Sequence, residues 1–367
     1  MEFGLSESQQ LLKDNARKFF AGECPMAEVR RLMESATAHD AALWAKMAEQ
    51  GYTGIIFPEE FDGVGLEIVE LILLMEEAGR ALLPGPLYST VALAGAVLNE
   101  TGSAEQKKKY LAPICRGEAR ATLALLEKSA SWNVADLKLE SRGGKISGEK
   151  LFVPDAASAE FILVAARDGV HVAGAKAQGV AIRPMTGMDA TRKLYTLKFQ
   201  DAAVETLAHG EGLARGLDIA AAALSAELVG GMQRTLDLTV EYAKARKQFG
   251  KPIGMFQAVQ HQCADMYLET ESARSAAYYA AWALAERSPD ASTAVSIAKM
   301  YASDAARTVG NRGIQVHGGM GFTWENDVHL YYRRAKASET MLGDATFHRE
   351  RIARLVIDAE PAVAKSA

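Results

Sequence analysis

The chain has 367 residues, 49% of them hydrophobic and 24% charged, with a formal net charge of −5. These values fit a soluble globular protein with length for two or three domains, and the acidic balance excludes the broad cationic face of a nucleic-acid binder. Cys24, Cys115 and Cys263 have no metal or redox spacing, which points to a reducing cytoplasm, while no apolar run reaches transmembrane length and MEFGLSESQQ lacks an apolar signal core.

Ser6 opens the first helical pattern, with Gln9 three residues on as its capping-box partner. Leu11, Leu12, Ala16, Phe19 and Phe20 then recur at helical spacing. The stretches 41–50 and 68–81 repeat that behaviour, and the turn-rich segment Pro58-Glu59-Glu60-Phe61-Asp62-Gly63-Val64-Gly65 between them reads as a connector. From about Ala119 to Ala208 the texture changes. Short runs at 122–126, 145–153, 161–166, 179–182 and 194–199 are separated by Gly, Ser, Asp and Pro, which predicts a small all-β unit. From Ala214 onward long helices return, and Val259, Cys263, Met266, Thr270, Ala273 and Ala277 fall on one helical face. The order predicts an α+β protein: an α-helical domain over 1–117, a β-barrel or sandwich over 118–210, and a C-terminal four-helix bundle over 211–367.

Three segments of the last third are specific in combination: Arg246-Lys247-Gln248-Phe249-Gly250, Phe256-Gln257-Ala258-Val259-Gln260-His261 and Gln315-Val316-His317-Gly318-Gly319-Met320-Gly321. In this order and at these separations, together with Pro58 to Leu66, they resemble the acyl-CoA dehydrogenase family over nearly the whole chain. The resemblance implies FAD as cofactor. It implies that Arg246 reaches the pyrophosphate of a neighbouring subunit's FAD, with Phe249 on the adenine side and Gln257 in the adjacent contact segment. Gln315, Gly318 and Gly319 match the residues that receive the same ADP portion. A pyrophosphate calls for a cation and close-approaching backbone. Read without the resemblance, Arg246 is a solvated helix cation and Gly318-Gly319 a helix-ending turn. His261 and His317 read as packing or hydrogen-bonding residues, because no metal-ligand cluster surrounds them.

The reaction the resemblance implies is α,β-desaturation of an acyl-CoA thioester. A carboxylate takes the α-proton, flavin N5 accepts hydride from the β-carbon, and the developing enolate needs stabilisation. The family places its base at one of two spots. One is the turn Glu339-Thr340-Met341-Leu342-Gly343-Asp344-Ala345, with Leu342 at the matching position. The other is Ala220, in Asp218-Ile219-Ala220-Ala221-Ala222-Ala223. Neither leucine nor alanine accepts a proton. The family arginine beside the second spot falls on Ala221, while Asp218 persists on the substrate side. In the loop Leu126-Glu127-Lys128-Ser129-Ala130-Ser131-Trp132, Leu126 replaces a hydroxyl and Trp132 stands where small residues are usual. Along Gly148-Glu149-Lys150-Leu151-Phe152-Val153-Pro154, Phe152 keeps an aromatic face, but Pro154 offers the flavin neither a hydroxyl nor an N–H.

Residues facing a neighbour's FAD are retained, whereas the chain's own ring pocket, CoA contact and base are lost. The expectation is the base-lacking subunit of a bacterial heteromeric (α2β2) acyl-CoA dehydrogenase. A homologous sister chain supplies the glutamate, FAD is shared across the interface, and an electron-transfer flavoprotein takes the electrons. The alternative is an active homotetramer with a displaced carboxylate. Glu339 lies at i, i+3 from Leu342 but can equally pair with Arg334 or Lys336, and Asp344 can equally cap the helix starting near Ala345. A third possibility, another flavin reaction such as nitroalkane oxidation or oxygenation, has no specific residue in its favour.

Overall fold

The computed structural model describes residues 4–358. The first helix, α1 (Glu7–Glu23), starts on the capping box read from the sequence, with Ser6 and Gln9 bonded reciprocally. Next come α2 (Met26–Glu34), α3 (Ala41–Glu49), whose first turn is capped by Asp40, and α4 (Ile68–Arg80). A π-helical stretch at Tyr88–Gly95 leads into α5 (Ala96–Thr101) and α6 (Ala104–Cys115). Helix α4 is buried almost all round, from Leu71 to Gly79, so this part is built about it rather than on it. The Pro58–Gly65 stretch is more than a connector: a Cβ on Gly63 would come 2.0 Å from the Phe57 carbonyl oxygen, so the loop folds tightly on itself.

The middle part holds eight strands: β1 (Ala121–Ala124), β2 (Ser141–Arg142), β3 (Lys145–Pro154), β4 (Phe161–Ala166), β5 (Gly169–Gly174), β6 (Val180–Met185), β7 (Leu194–Ala203) and β8 (Glu205–Thr206). They form two four-stranded sheets of order β1-β4-β5-β8 and β2-β3-β7-β6. Their facing side chains, among them Ile146, Val153, Ile162, Val164, Leu197 and Phe199, make a separate small core.

The last part is a bundle of long helices: α7 (Leu213–Ala245), α8 (Gln257–Ala285), α9 (Ala291–His317) and α10 (Val328–Thr340), followed by α11 (Ala345–Val356). A small hairpin of β9 (Lys247–Gln248) and β10 (Lys251–Pro252) joins α7 to α8. Met266, Thr270, Ala273 and Ala277 of the stripe read on α8 are buried, while Val259 and Cys263 at its end are half-buried. None of the described helices is long and apolar enough to cross a membrane.

Two of the contacts that join the bundle to the first helical part lie side by side on α4. Glu76 on α4 accepts from Lys13 at 2.9 Å, Tyr278 at 2.6 Å and Arg274 at 3.1 Å, so α1, α4 and α8 share one buried carboxylate. Beside it α4 and α7 cross with their backbones nearly touching. A Cβ on Gly230 would lie 1.8 Å from the Glu76 carbonyl oxygen, and one on Gly79 would lie 2.0 Å from that of Glu227. Gly230→Ala should therefore force the two helices apart and destabilise the fold by about 1–3 kcal/mol or more. Thermal unfolding should show a clear drop against Gly231→Ala, where the nearest atoms would be 3.9 Å away.

Candidate functional site

The turn between α10 and α11 carries the position where a base is expected. Leu342 adopts φ 58° and Gly343 φ 100°, which swings the chain sharply into α11. A left-handed leucine costs about 1–2 kcal/mol, so its neighbours must hold it. They do so through the carbonyls. The buried Lys299 ammonium donates to the carbonyl oxygens of Glu339 and Gly343, both at 3.0 Å, and to Ser303 Oγ at 2.9 Å. Burial lowers the Lys299 pKa to about 7, yet three acceptors are the full complement of an ammonium. His348 bonds the Leu342 carbonyl through Nε2 at 3.0 Å. Burial, with Lys299 and Arg351 nearby, pushes His348 down to about 3. It is therefore neutral, and its Nε2–H is the donor.

The carboxylates of this turn point elsewhere. Glu339 pairs with Arg307 at 2.7 Å and Lys336 at 2.6 Å. Arg334, the other partner the sequence offered, turns inward instead. Asp344 accepts from the Phe347 N–H at 2.8 Å and caps α11. Neither carboxylate lines the cavities described next.

Two cavities meet near Leu342. The larger, about 680 Å³, runs between α7, α11 and the loop after β1. Ala214, Leu217, Asp218 and Ala221 form the α7 stripe facing it. Ala220 is off that stripe: it is fully buried and its carbonyl accepts from Tyr88 Oη at 3.2 Å. The cavity-facing position is therefore Ala221, and it too carries only a methyl group. Asp218 accepts from both Arg351 terminal nitrogens, at 2.6 and 3.0 Å, and from Ser292 Oγ at 2.6 Å. Its lone pairs are engaged by its own chain. The smaller cavity, about 310 Å³, lies against Leu126, Phe152, Met188, Arg192, Thr340 and Met341. Between the two is a gap of about 10 Å³ walled by apolar residues, Leu342, Leu125 and Pro154 among them, with no titratable side chain. Trp132 borders all three spaces.

Sequence reading missed the buried ionic cluster behind the smaller cavity. Glu227 on α7 accepts from Arg192 at 2.7 and 2.9 Å and from Arg334 at 2.7 Å. Arg334 also donates to Asp189 at 2.6 Å, and the Arg192 guanidinium lies 4.7 Å over the Tyr88 ring. Asp155 sits close by. One of its oxygens accepts from Ser89 at 2.7 Å, while the other is buried without a partner. The available signal was Glu227 itself, the one charge within the run 219–230.

The remaining candidates gather at the opposite end of α7. Tyr242 stacks on His317 with centroids 4.5 Å apart, which brings the end of α7 against the end of α9. His317 also bonds the Gly313 carbonyl through Nδ1 at 2.8 Å, while His261 is exposed. Phe249 and Gly250 form the hairpin's two-residue turn, both with positive φ, and Phe249 stands 92% exposed. Arg246, Gln257, Gln315, Gly318 and Gly319 are all exposed, and a Cβ on either glycine would meet open space. No ion-pair partner for Arg246 occurs among the described residues.

Comparison with known proteins now bears on this geometry. Residues 6–118 match the family model described as the acyl-CoA dehydrogenase N-terminal domain, and residues 211–357 match the C-terminal domain of the same family. Acyl-CoA dehydrogenase IpdE2 of Mycobacterium tuberculosis is 32% identical over 338 residues, spanning 92% of this chain and 93% of that protein. The chain belongs to the acyl-CoA dehydrogenase family. Its fold matches a chain of the ChsE4-ChsE5 complex from Mycobacterium tuberculosis with a TM-score of 0.90 at 28% identity, covering 99% of this chain and 100% of that one. It also matches the FAD complex of PigA with a TM-score of 0.87 at 25% identity, covering 96% and 98%. The protein is thus an acyl-CoA dehydrogenase-family flavoprotein, with FAD as the family cofactor.

Asp155 gives a test of the buried cluster. Burial pushes its carboxyl up to about 6 from an ordinary 3.8, so the fold disfavours its charge. That penalty is fully present above about pH 6 and fades as pH falls toward 4. Asp155→Asn, which tolerates the local φ of 51°, should stabilise the protein at pH 7 by on the order of 2–3 kcal/mol. Unfolding temperatures of both proteins across pH 4–8 should show that advantage shrinking below pH 6.

Proposed function

We propose that this chain is the base-lacking subunit of a heteromeric acyl-CoA dehydrogenase, contributing the ADP half of a FAD site to a homologous partner. The observation that carries the reading is the apolar gap beside Leu342. There the thioester and flavin of this family would meet, and none of the side chains around it can accept the α-proton. The carboxylates at the larger cavity do not fill the role. Asp218 is held by Arg351 and Ser292, Asp136 by Ser131 at 2.6 Å, and Glu350 pairs with Arg354 at 3.1 Å on the surface. Glu339 and Asp344, the displaced-base candidates, are engaged in an ion-pair cluster and a helix cap.

The two ends of the chain differ in their fit to FAD. At the hairpin end, Arg246 offers a guanidinium for a pyrophosphate, Phe249 an aromatic face, Gln257 and Gln315 amides, and Gly318 and Gly319 uncovered backbone. At the ring side, Leu126 and Pro154 bring neither a hydroxyl nor a side-chain donor to a flavin ring, although Phe152 keeps an aromatic surface. This contrast supports a cofactor shared across an interface. The solved ChsE4-ChsE5 complex is a heteromeric member of the same fold. The substrate class under this reading is a bulky acyl-CoA thioester, oxidised at the partner's site, with an electron-transfer flavoprotein as acceptor.

Purified by itself, the chain should carry little flavin and turn over no acyl-CoA. Co-expressed with a glutamate-bearing homologue it should yield a complex with one FAD per two chains. Arg246→Ala in that complex should remove one charge-assisted contact and weaken FAD binding about tenfold or more, roughly 1.5–3 kcal/mol. The flavin-to-protein ratio after dialysis measures this. Stoichiometric flavin and turnover in the isolated chain would refute the reading.

A further inference from the structure

The absent carboxylate is not the sole obstacle inside this chain. Hydride transfer requires the β-carbon and the flavin acceptor nitrogen in near-attack contact, about 3–3.5 Å apart. The hydride leaves carbon with its bonding pair and the flavin gains both electrons, while a base takes the α-proton. The two partners must therefore share one continuous space. Here the two spaces, about 680 and 310 Å³, have Trp132 as their one shared lining residue, and the gap bordering both is only about 10 Å³.

Trp132 is the residue common to all three. Its half-buried ring packs against the core, on the loop after β1, where Ser131 is fixed by Asp136 at 2.6 Å and Asn133 N–H by Ser131 Oγ at 3.2 Å. The loop is thus held by its own hydrogen bonds. Leu125, Leu126, Met341 and Leu342 complete the wall around the gap. A side chain in van der Waals contact on both faces, at about 3.5–4.0 Å each, keeps the groups it separates at roughly twice the distance hydride transfer allows.

We propose that Trp132 is a partition residue, closing the passage between the thioester-sized cavity and the flavin-ring cavity. It makes the chain incompetent for hydride transfer independently of its missing base. The inference rests on the family reading of which cavity is which, and it goes beyond the base-lacking assignment by naming a second, steric block. It assigns no substrate and no new cofactor.

The test uses the full-length chain, saturating added FAD, and acetoacetyl-CoA as probe at a pH where the probe is itself the enolate. No protein base is then needed. An enolate lying face to face with oxidised flavin gives a long-wavelength charge-transfer absorbance, which requires direct contact. At these saturating concentrations, far above those at which the chain is purified with little flavin, the wild type should bind both probes by equilibrium dialysis yet show no such band. Trp132→Gly should bind both and develop the band, and Trp132→Ser should do the same if the glycine variant fails to fold. A band in the wild type would overturn the proposal, as would its absence in a variant that holds both probes. Failure of either probe to bind also overturns it, because the cavities are then not the sites assumed. That last outcome leaves the hairpin-end reading intact, since the Arg246→Ala test in the two-chain complex reads a different surface.

Discussion

Glu227 is the point at which the three parts of this chain are locked together. Its carboxylate receives Arg192 from the two-sheet part and Arg334 from α10. Its own backbone forms the close crossing of α7 with Gly79 of α4. Each of these charges is almost fully buried, and ions in such surroundings are tolerated only when every one is paired and hydrogen-bonded. The cluster meets most of that condition by sharing: Arg334 spans Glu227 and Asp189, and the Arg192 plane rests on Tyr88, although Arg192 Nε is buried without a hydrogen-bond partner among the described residues. Removing one member would strand another charge, which typically costs about 3–5 kcal/mol. The relative placement of the parts is thereby fixed, and with it the seat of α10 and the turn at its end.

Under the proposed reading, that turn is a catalytic shape that has outlived its chemistry. Leu342 keeps a backbone conformation that a leucine has no reason to choose; His348 holds its carbonyl, and Lys299 holds those of Glu339 and Gly343 on either side. A carboxylate at this point would face an apolar gap and would be desolvated, a standing cost unless the site uses it. A leucine removes that cost and adds packing. The strained backbone remains because the clamps are bonded to main-chain atoms, which do not change with the side chain.

The parts of the structure that were legible in the sequence are those governed by local rules. The Ser6–Gln9 capping box, α4, the buried stripe of α8 and the principal strands follow from capping and periodicity. The strand at Gly169–Gly174 was not read: its buried centre, Val170 to Ala173, gives no alternation, and unlike Phe161–Ala166 it is a run of only four residues between two glycines and contains a histidine. The cap at Asp344 was legible, since it depends on one residue and the helix after it. The partner of Glu339 was legible only in part. Lys336 lies a turn away on the same helix, but Arg307 comes from α9 and Arg334 is drawn inward by Glu227 and Asp189. Ala220 shows the same limit in another form. The family pattern gives a position along α7, whereas the cavity selects a face, and the face belongs to Ala221. The partners of Glu227 and the Lys299 clamp were beyond reach for one reason: they join residues 35 to 145 positions apart, and such pairings leave no periodic trace.

Phe249 carries the last step of the argument. It sits at φ 52° in a two-residue turn where asparagine or glycine would be unstrained, and it holds an aromatic ring almost wholly in solvent. Neither feature benefits the isolated chain, since the backbone is strained and the apolar surface is exposed. Its packing against Phe256, with ring centroids 6.0 Å apart, covers only an edge. Inside the chain, by the family resemblance, leucine, alanine and tryptophan fill positions where a carboxylate, an arginine and small residues would serve catalysis, and the leucine and tryptophan add packing. A chain that had simply lost its function would be expected to relax at the hairpin as it has relaxed within. That it keeps its outward cost, while under the proposed reading it has shed its inward one, is the physical support for the proposal that its task lies at a surface shared with another subunit.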